Sequence, residues 1–220
     1  MSTFRRIVAA VLVMQVGFFA TAARAEEESG DGFEPRVEVT PYIGYRMGGQ
    51  FDVEDATSDT SKSVDLQDSS DWGIDLGIYR DRTSFYEILY SYQSAGIDTS
   101  DPALKGVDVT IQYLQVGGTL LFDDDERFVP YLSLTVGGTK FDAGGDYGSE
   151  TKFSGSLGGG VRFPIGEHLA ATIGVRGYLT VVNSDTEFFC SGSGSVNCLF
   201  RTTGSTFFQG EGLLGFTAVF

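Results

Sequence analysis

The sequence predicts an all-β fold, an eight-stranded antiparallel transmembrane β-barrel, and three observations carry that expectation. Apolar and polar residues alternate with period two over segments of about ten residues, the length at which a tilted strand crosses a bilayer. The connections between segments run long, short, long, short, long, short, long, at about 20, 4, 14, 5, 11, 5 and 23 residues, as in a barrel whose ends face different compartments. The final segment, Phe207 to Phe220, places Leu214, Phe216, Ala218 and Phe220 on one face and Gln209, Glu211, Leu213, Gly215 and Thr217 on the other. Such a strand suits a wall between lipid and a polar lumen.

The first strand runs from Val37 to Gly49, with Val37, Val39, Pro41, Ile43, Tyr45 and Met47 opposite Glu38, Thr40, Tyr42, Gly44 and Arg46. Pro41 cannot donate to a ladder, so it implies a bulge or a locally missing bond. A polar, acidic loop over about 51–70 follows. Trp72, Ile74, Leu76 and Ile78 then resume the apolar face against Asp71, Gly73, Asp75, Gly77 and Tyr79, and Arg80 to Thr83 reverse the chain. The third strand, about 84–93, turns Tyr86, Ile88, Tyr90 and Tyr92 outward and Glu87, Leu89, Ser91 and Gln93 inward.

After a loop over about 94–107, the fourth strand reaches about 122, with Leu114, Val116, Leu120 and Phe122 opposite Tyr113, Gln115, Gly117 and Thr119. Asp123 to Arg127 form the next turn. The fifth strand, about 128–139, sets Leu132, Leu134 and Val136 against Tyr131, Ser133 and Thr135. The sixth sets Phe153, Leu157, Val161 and Phe163 against Ser154, Ser156, Gly158, Gly160 and Arg162, and Pro164 ends it. The seventh, Leu169 to Val182, opposes Ile173, Val175, Leu179 and Val181 to Thr172, Gly174, Arg176, Tyr178 and Thr180. A loop over about 183–205 leads to the closing strand.

The chain has no run of about 18 apolar residues that would span a bilayer as a helix. Its start reads as a secretory signal peptide: Arg5 and Arg6 precede an apolar stretch from Ile7 to Phe19, and Ala23-Arg24-Ala25 offers a small-x-small cleavage site. The expected organisation is a cleaved signal over 1–25, a short acidic segment over 26–34 and the barrel over 35–220. Cleavage would remove three of 15 basic residues and none of the 30 acidic ones, leaving a formal charge of about −18. That charge makes nucleic acid an improbable partner.

The inward phase collects Glu38, Asp75, Glu87 and Glu211 with Arg46, Arg162 and Arg176. A charge facing lipid at the midplane would cost about 2–4 kcal/mol, so their shared phase supports the assignment of faces. With the first and last strands adjacent, Glu211 falls at the height of Arg46 and Arg176, and these three are expected to form an ion-pair network plugging the lumen. A self-satisfying polar core and a pore gate are the two readings of that network.

Cys190 and Cys198 lie in the last long loop of a secreted chain and are expected to pair as a disulfide. In the chain-entropy model so short a closed loop is worth roughly 2–3 kcal/mol. The acidic stretch 51–71 contains seven carboxylates and one lysine, but its spacing matches no EF-hand, so a solvated loop is expected and no metal or cofactor is assigned. No catalytic residue is assigned either. The sole histidine, His168, falls in the short Pro164 to His168 turn, and no Gly-x-Ser-x-Gly elbow is present.

Tyr86-Glu87-Ile88-Leu89-Tyr90-Ser91, Tyr113-Leu114-Gln115-Val116-Gly117-Gly118, Pro130-Tyr131, Gly158-Gly159-Gly160-Val161, Phe189-Cys190 with Cys198, and Gly215-Phe216 through Phe220 follow one another along the chain. In that order they resemble the small Gram-negative outer-membrane barrels of the OmpX, OmpA-domain and opacity-protein class. The resemblance implies a home in the outer membrane among its lipids and lipopolysaccharide. It also implies escort by periplasmic chaperones and recognition of the terminal strand, with Phe216 and Phe220, by the barrel-assembly machinery. Both termini are expected in the periplasm. The expected role is structural or surface-binding around a largely occluded lumen. The alternatives are a narrow channel for small solutes and, third, a lipid-modifying enzyme.

Overall fold

Alternation of apolar and polar residues forces each strand to choose which face meets hydrocarbon, and in this chain the choice is inverted relative to a soluble protein. In the computed structural model Leu134 and Val175 are 62% and 67% exposed on the outer wall, whereas Glu38 and Arg46 are fully buried. The structure describes residues 36–55, 58–98, 108–122, 127–143, 149–182, 187–191, 197–201 and 206–220, and of 51–55, 58–64, 98, 187–191 and 197–201 it describes the backbone. The expected signal peptide (1–25) and acidic segment (26–34) lie outside the described residues.

Twelve strands occur among the described residues: β1 Val37–Met47, β2 Gln50–Asp55, β3 Ser58–Leu66, β4 Ser69–Tyr79, β5 Ser84–Asp98, β6 Asp108–Leu121, β7 Val129–Asp142, β8 Ser149–Pro164, β9 Leu169–Val181, β10 Glu187–Ser191, β11 Asn197–Arg201 and β12 Thr206–Val219. Eight of them form the wall in the order β1-β4-β5-β6-β7-β8-β9-β12, every neighbour antiparallel, and β12 returns to β1 to close the barrel. No helix among the described residues is long and apolar enough to cross a membrane.

The closing seam is zipped at its end by two backbone bonds, Val37 N to Phe220 O at 3.1 Å and Phe220 N to Val37 O at 2.8 Å. Pro41 lies within this seam and leaves no bulge. The register sets Val39 opposite Ala218 and Tyr42 opposite Gly215 without a shift, while the pairings at residues 40 and 41 are missing. On its other side Pro41 stays in register with Ile74 of β4. The gap toward β12 is bridged by side chains, since the Thr40 and Thr217 hydroxyls are 2.8 Å apart.

Two loops contain more structure than expected. The acidic stretch assigned to a loop over 51–70 folds into the β2–β3 hairpin, pairing Phe51 with Val64 and Val53 with Lys62, and β3 joins the wall through Leu66 opposite Ile97. Its sparse apolar alternation is diluted by acids, which is why it reads as loop. The β10–β11 hairpin likewise occupies part of 183–205. The wall strands also overrun their expected ends, β5 to Asp98 and β7 to Asp142, because past the apolar belt hydrogen bonding rather than hydropathy continues the ladder. One barrel end therefore carries short turns and both ends of the wall; the other carries the hairpins.

Candidate functional site

The lumen of an eight-stranded barrel is filled by side chains, and here it is filled in tiers. Nearest the short turns, Glu38 of β1 accepts two hydrogen bonds from Arg162 of β8, at 2.7 and 2.8 Å, and a third from the Tyr79 hydroxyl at 2.8 Å. The guanidinium lies against Phe85 and Tyr131, 4.9 and 5.5 Å from their ring centres, an arrangement that favours arginine over lysine.

In the middle tier, Arg176 of β9 reaches across the lumen to Glu87 of β5 at 3.0 Å and Asp75 of β4 at 3.2 Å. The Thr119 hydroxyl donates to the second oxygen of Glu87. Gly158 makes this possible, because a Cβ there would lie 2.6 Å from Ser133 Oγ and 3.0 Å from Arg176 Nε. Between the first two tiers, Thr40, Glu87, Thr119, Thr172 and Arg176 help line a cavity with room for about one water molecule.

The upper tier centres on Arg46. The two N–H groups of its Nη2 are shared among Asp71 at 2.9 Å, Glu211 at 3.1 Å and Ser91 at 2.5 Å, while the Tyr178 hydroxyl donates to the other Glu211 oxygen at 2.7 Å. Tyr113 and Tyr178 stack 4.2 Å apart, and the Arg46 guanidinium sits 4.6 Å from the centre of the Tyr178 ring. Beyond it, Gln209 joins Tyr113 at 2.9 Å and Gln93 at 3.1 Å. Toward the hairpin end follows an apolar cap of buried residues including Ile97, Val109, Ile111, Phe141, Val182 and Phe207, with Phe141 and Phe207 packed edge to face at 5.3 Å.

All seven charged residues singled out in the sequence thus face the lumen, but the expected Arg46–Glu211–Arg176 network is arranged differently. Glu211 is opposite Arg46 on one side and Arg176 on the other. Arg46 does bind it, whereas the Arg176 side chain extends to Asp75 and Glu87 instead. Both Glu211 oxygens are taken, by Arg46 and by the Tyr178 hydroxyl, so the Arg176 guanidinium pairs across the lumen, which strand phase alone does not show. Asp71 takes the place beside Glu211; its phase is inward, but in the sequence it also ends the acidic stretch 51–71. The seven residues plus Asp71 give five carboxylates to three guanidiniums.

The other sequence-derived sites lie away from the lumen. Phe216 and Phe220 are exposed on the outer wall. Cys190 and Cys198 are directly opposite in the β10–β11 ladder, their side chains lying outside the described residues. The side chains of 51–64 are also outside them, and among the described residues no cluster of potential metal ligands occurs. His168 lies at the short-turn end, its carbonyl accepting from Val219 N at 2.8 Å.

An inverted barrel with an apolar outer wall and a charge-paired interior defines a small integral outer-membrane barrel. The chain belongs to the outer membrane protein beta-barrel domain family, whose model matches residues 10–189. Its fold is similar to that of the outer membrane protein AlkL, solved by solid-state NMR in DMPC lipid bilayers, at 16% identity over 87% of this chain and 93% of that one, with a TM-score of 0.56. It is also similar to OprG from Pseudomonas aeruginosa, at 12% identity over 84% and 95% with a TM-score of 0.52. Neisserial surface protein A aligns at 14% identity over 84% and 96%, with a TM-score of 0.49. At these identities the likeness is one of fold. No curated protein matches the sequence.

Proposed function

We propose that this protein is an occluded outer-membrane anchor that presents the β2–β3 and β10–β11 hairpins at the cell surface as a binding platform. The observation carrying this reading is the set of three ion-pair tiers across the lumen, closed above by an apolar cap. Opening a continuous water path would strand buried charges, a cost of several kcal/mol for each pair broken. In this reading both termini are periplasmic, residues 1–25 are removed on export, and the terminal strand with Phe216 and Phe220 engages the barrel-assembly machinery. Outer-membrane lipids and lipopolysaccharide surround the wall. Catalysis has no part in it, since the single histidine lies at the end assigned to the periplasm.

An epitope inserted between Asp55 and Ser58, in the β2–β3 connection, tests the display arm. Antibody should bind it on intact cells, and a fusion at Phe220 should be reached only after the outer membrane is permeabilised. The opposite pattern would overturn the orientation.

A further inference from the structure

The upper tier contains two carboxylates and one guanidinium, and the side chains of Asp71, Glu211 and Arg46 are all fully excluded from solvent. Both acids lean on the same nitrogen, Arg46 Nη2, at 2.9 and 3.1 Å. Both oxygens of Glu211 already accept hydrogen bonds, one from Arg46 and one from Tyr178. Asp71 Oδ1 is different: it is buried and has no hydrogen-bond partner. It also flanks the same point as Glu211 Oε1, since a Cβ on Gly44 would lie 2.6 Å from the first and 2.9 Å from the second.

The groups around this pair offer no compensating charge. Ser91 of β5 and Tyr178 of β9 hydrogen-bond within the tier, and Tyr113 of β6 stacks on Tyr178. Tyr42 and Gln93 are neutral. The nearest further cation, Arg176 of β9, is held by Asp75 and Glu87, where acids again outnumber the base two to one. An uncompensated carboxylate in so dry a place costs more than taking up a proton.

We propose that Asp71 and Glu211 together bind one proton, carried on Asp71 Oδ1 and donated to Glu211 Oε1, so that the upper tier is electrically neutral. The orphaned oxygen then gains its partner as a donor. The site joins β1, β4 and β12, so losing this proton at alkaline pH sets two carboxylates against one another beside the closing seam. This assignment rests on the dry lumen of the occluded reading. Conductance tests dryness, and the vibrational signature below tests the proton, so the two fail separately.

Infrared spectroscopy on the full-length protein refolded in lipid vesicles at neutral pH should show a protonated-carboxyl C=O stretch that Asp71→Asn removes. Because the folded protein keeps a proton that the unfolded carboxyls release, wild-type stability should fall as pH rises from the ordinary carboxyl range until the shared proton leaves, and Asp71→Asn should flatten that fall. If Asp71→Asn does not refold, Glu211→Gln serves as the second arm, because loss of either member removes the shared proton. A carboxyl band unchanged by either substitution would overturn the proposal. So would the absence of any such band; stability that then rises with sodium concentration would place a monovalent cation there instead.

Discussion

Glu38 and Arg162 stand 124 residues apart in the chain and meet across the lumen through two hydrogen bonds of 2.7 and 2.8 Å. Glu38 belongs to the strand that opens the barrel and Arg162 to β8, three strands away by way of β12 and β9, so the pair braces the seam from across the lumen. Arg162→Ala leaves a buried carboxylate with only the Tyr79 hydroxyl and should cost about 3–5 kcal/mol. Replacing both with apolar residues of similar volume should recover much of that loss. Urea unfolding in lipid vesicles, followed by tryptophan fluorescence, measures both.

The interior has little room to spare at Gly158. Gly158→Val should cost about 1–3 kcal/mol or more, because the added atoms collide with Ser133 and displace the Arg176 side chain from its acids. Gly210→Ala is the control, since nothing lies within 4 Å of a Cβ there. It should leave the unfolding midpoint nearly unchanged.

How much of this arrangement is legible in the sequence differs by level. Period two along β1, β6 and β12 assigns lipid and lumen faces because a misplaced charge in hydrocarbon is costly, and every wall strand keeps its phase. Strand phase also marks Glu38, Arg46 and Glu211 as interior. It does not say which acids are already occupied, so it does not show that Arg176 pairs with Asp75 and Glu87 while Glu211 is held by Arg46 and Tyr178. Asp71 is ambiguous for another reason, as it stands where the acidic hairpin becomes wall. The β2–β3 and β10–β11 hairpins are hidden because backbone pairing beyond the membrane needs little hydropathic contrast. At Pro41 the sequence leaves a bulge or a missing bond open, and the unshifted register selects the missing bond.

The Arg80 to Thr83 turn gives a pH prediction. Asp81 accepts from Thr83 N at 2.9 Å, Thr83 Oγ1 at 3.0 Å and Ser84 Oγ at 2.5 Å. Partial burial pushes its carboxyl up, but these bonds outweigh burial and hold it below its ordinary value. A depressed value means the turn is stabilised above the unfolded carboxyl range and loses that contribution as pH falls through the lower, folded value. Asp81→Asn should therefore remove a small acid-limb loss of stability, well under 1 kcal/mol for so exposed a group, leaving neutral behaviour nearly intact. An unfolding series between neutral and strongly acidic pH checks it.

Cys190 and Cys198 face one another in the β10–β11 ladder, a placement that suits a cross-strand disulfide. Protein isolated from the outer membrane and treated with an alkylating agent without reductant should keep its unlabelled mass. Two added labels would show free thiols.

The occluded lumen is the claim from which the rest follows, and single-channel recording of the refolded protein in a planar bilayer tests it most directly. The ion-pair tiers and the apolar cap predict a closed baseline in the wild type, without resolved openings at moderate voltage. Stable, reproducible open currents in the wild type, altered by Arg46→Ala or Glu211→Ala, would contradict the account and make the charge network the gate of a channel.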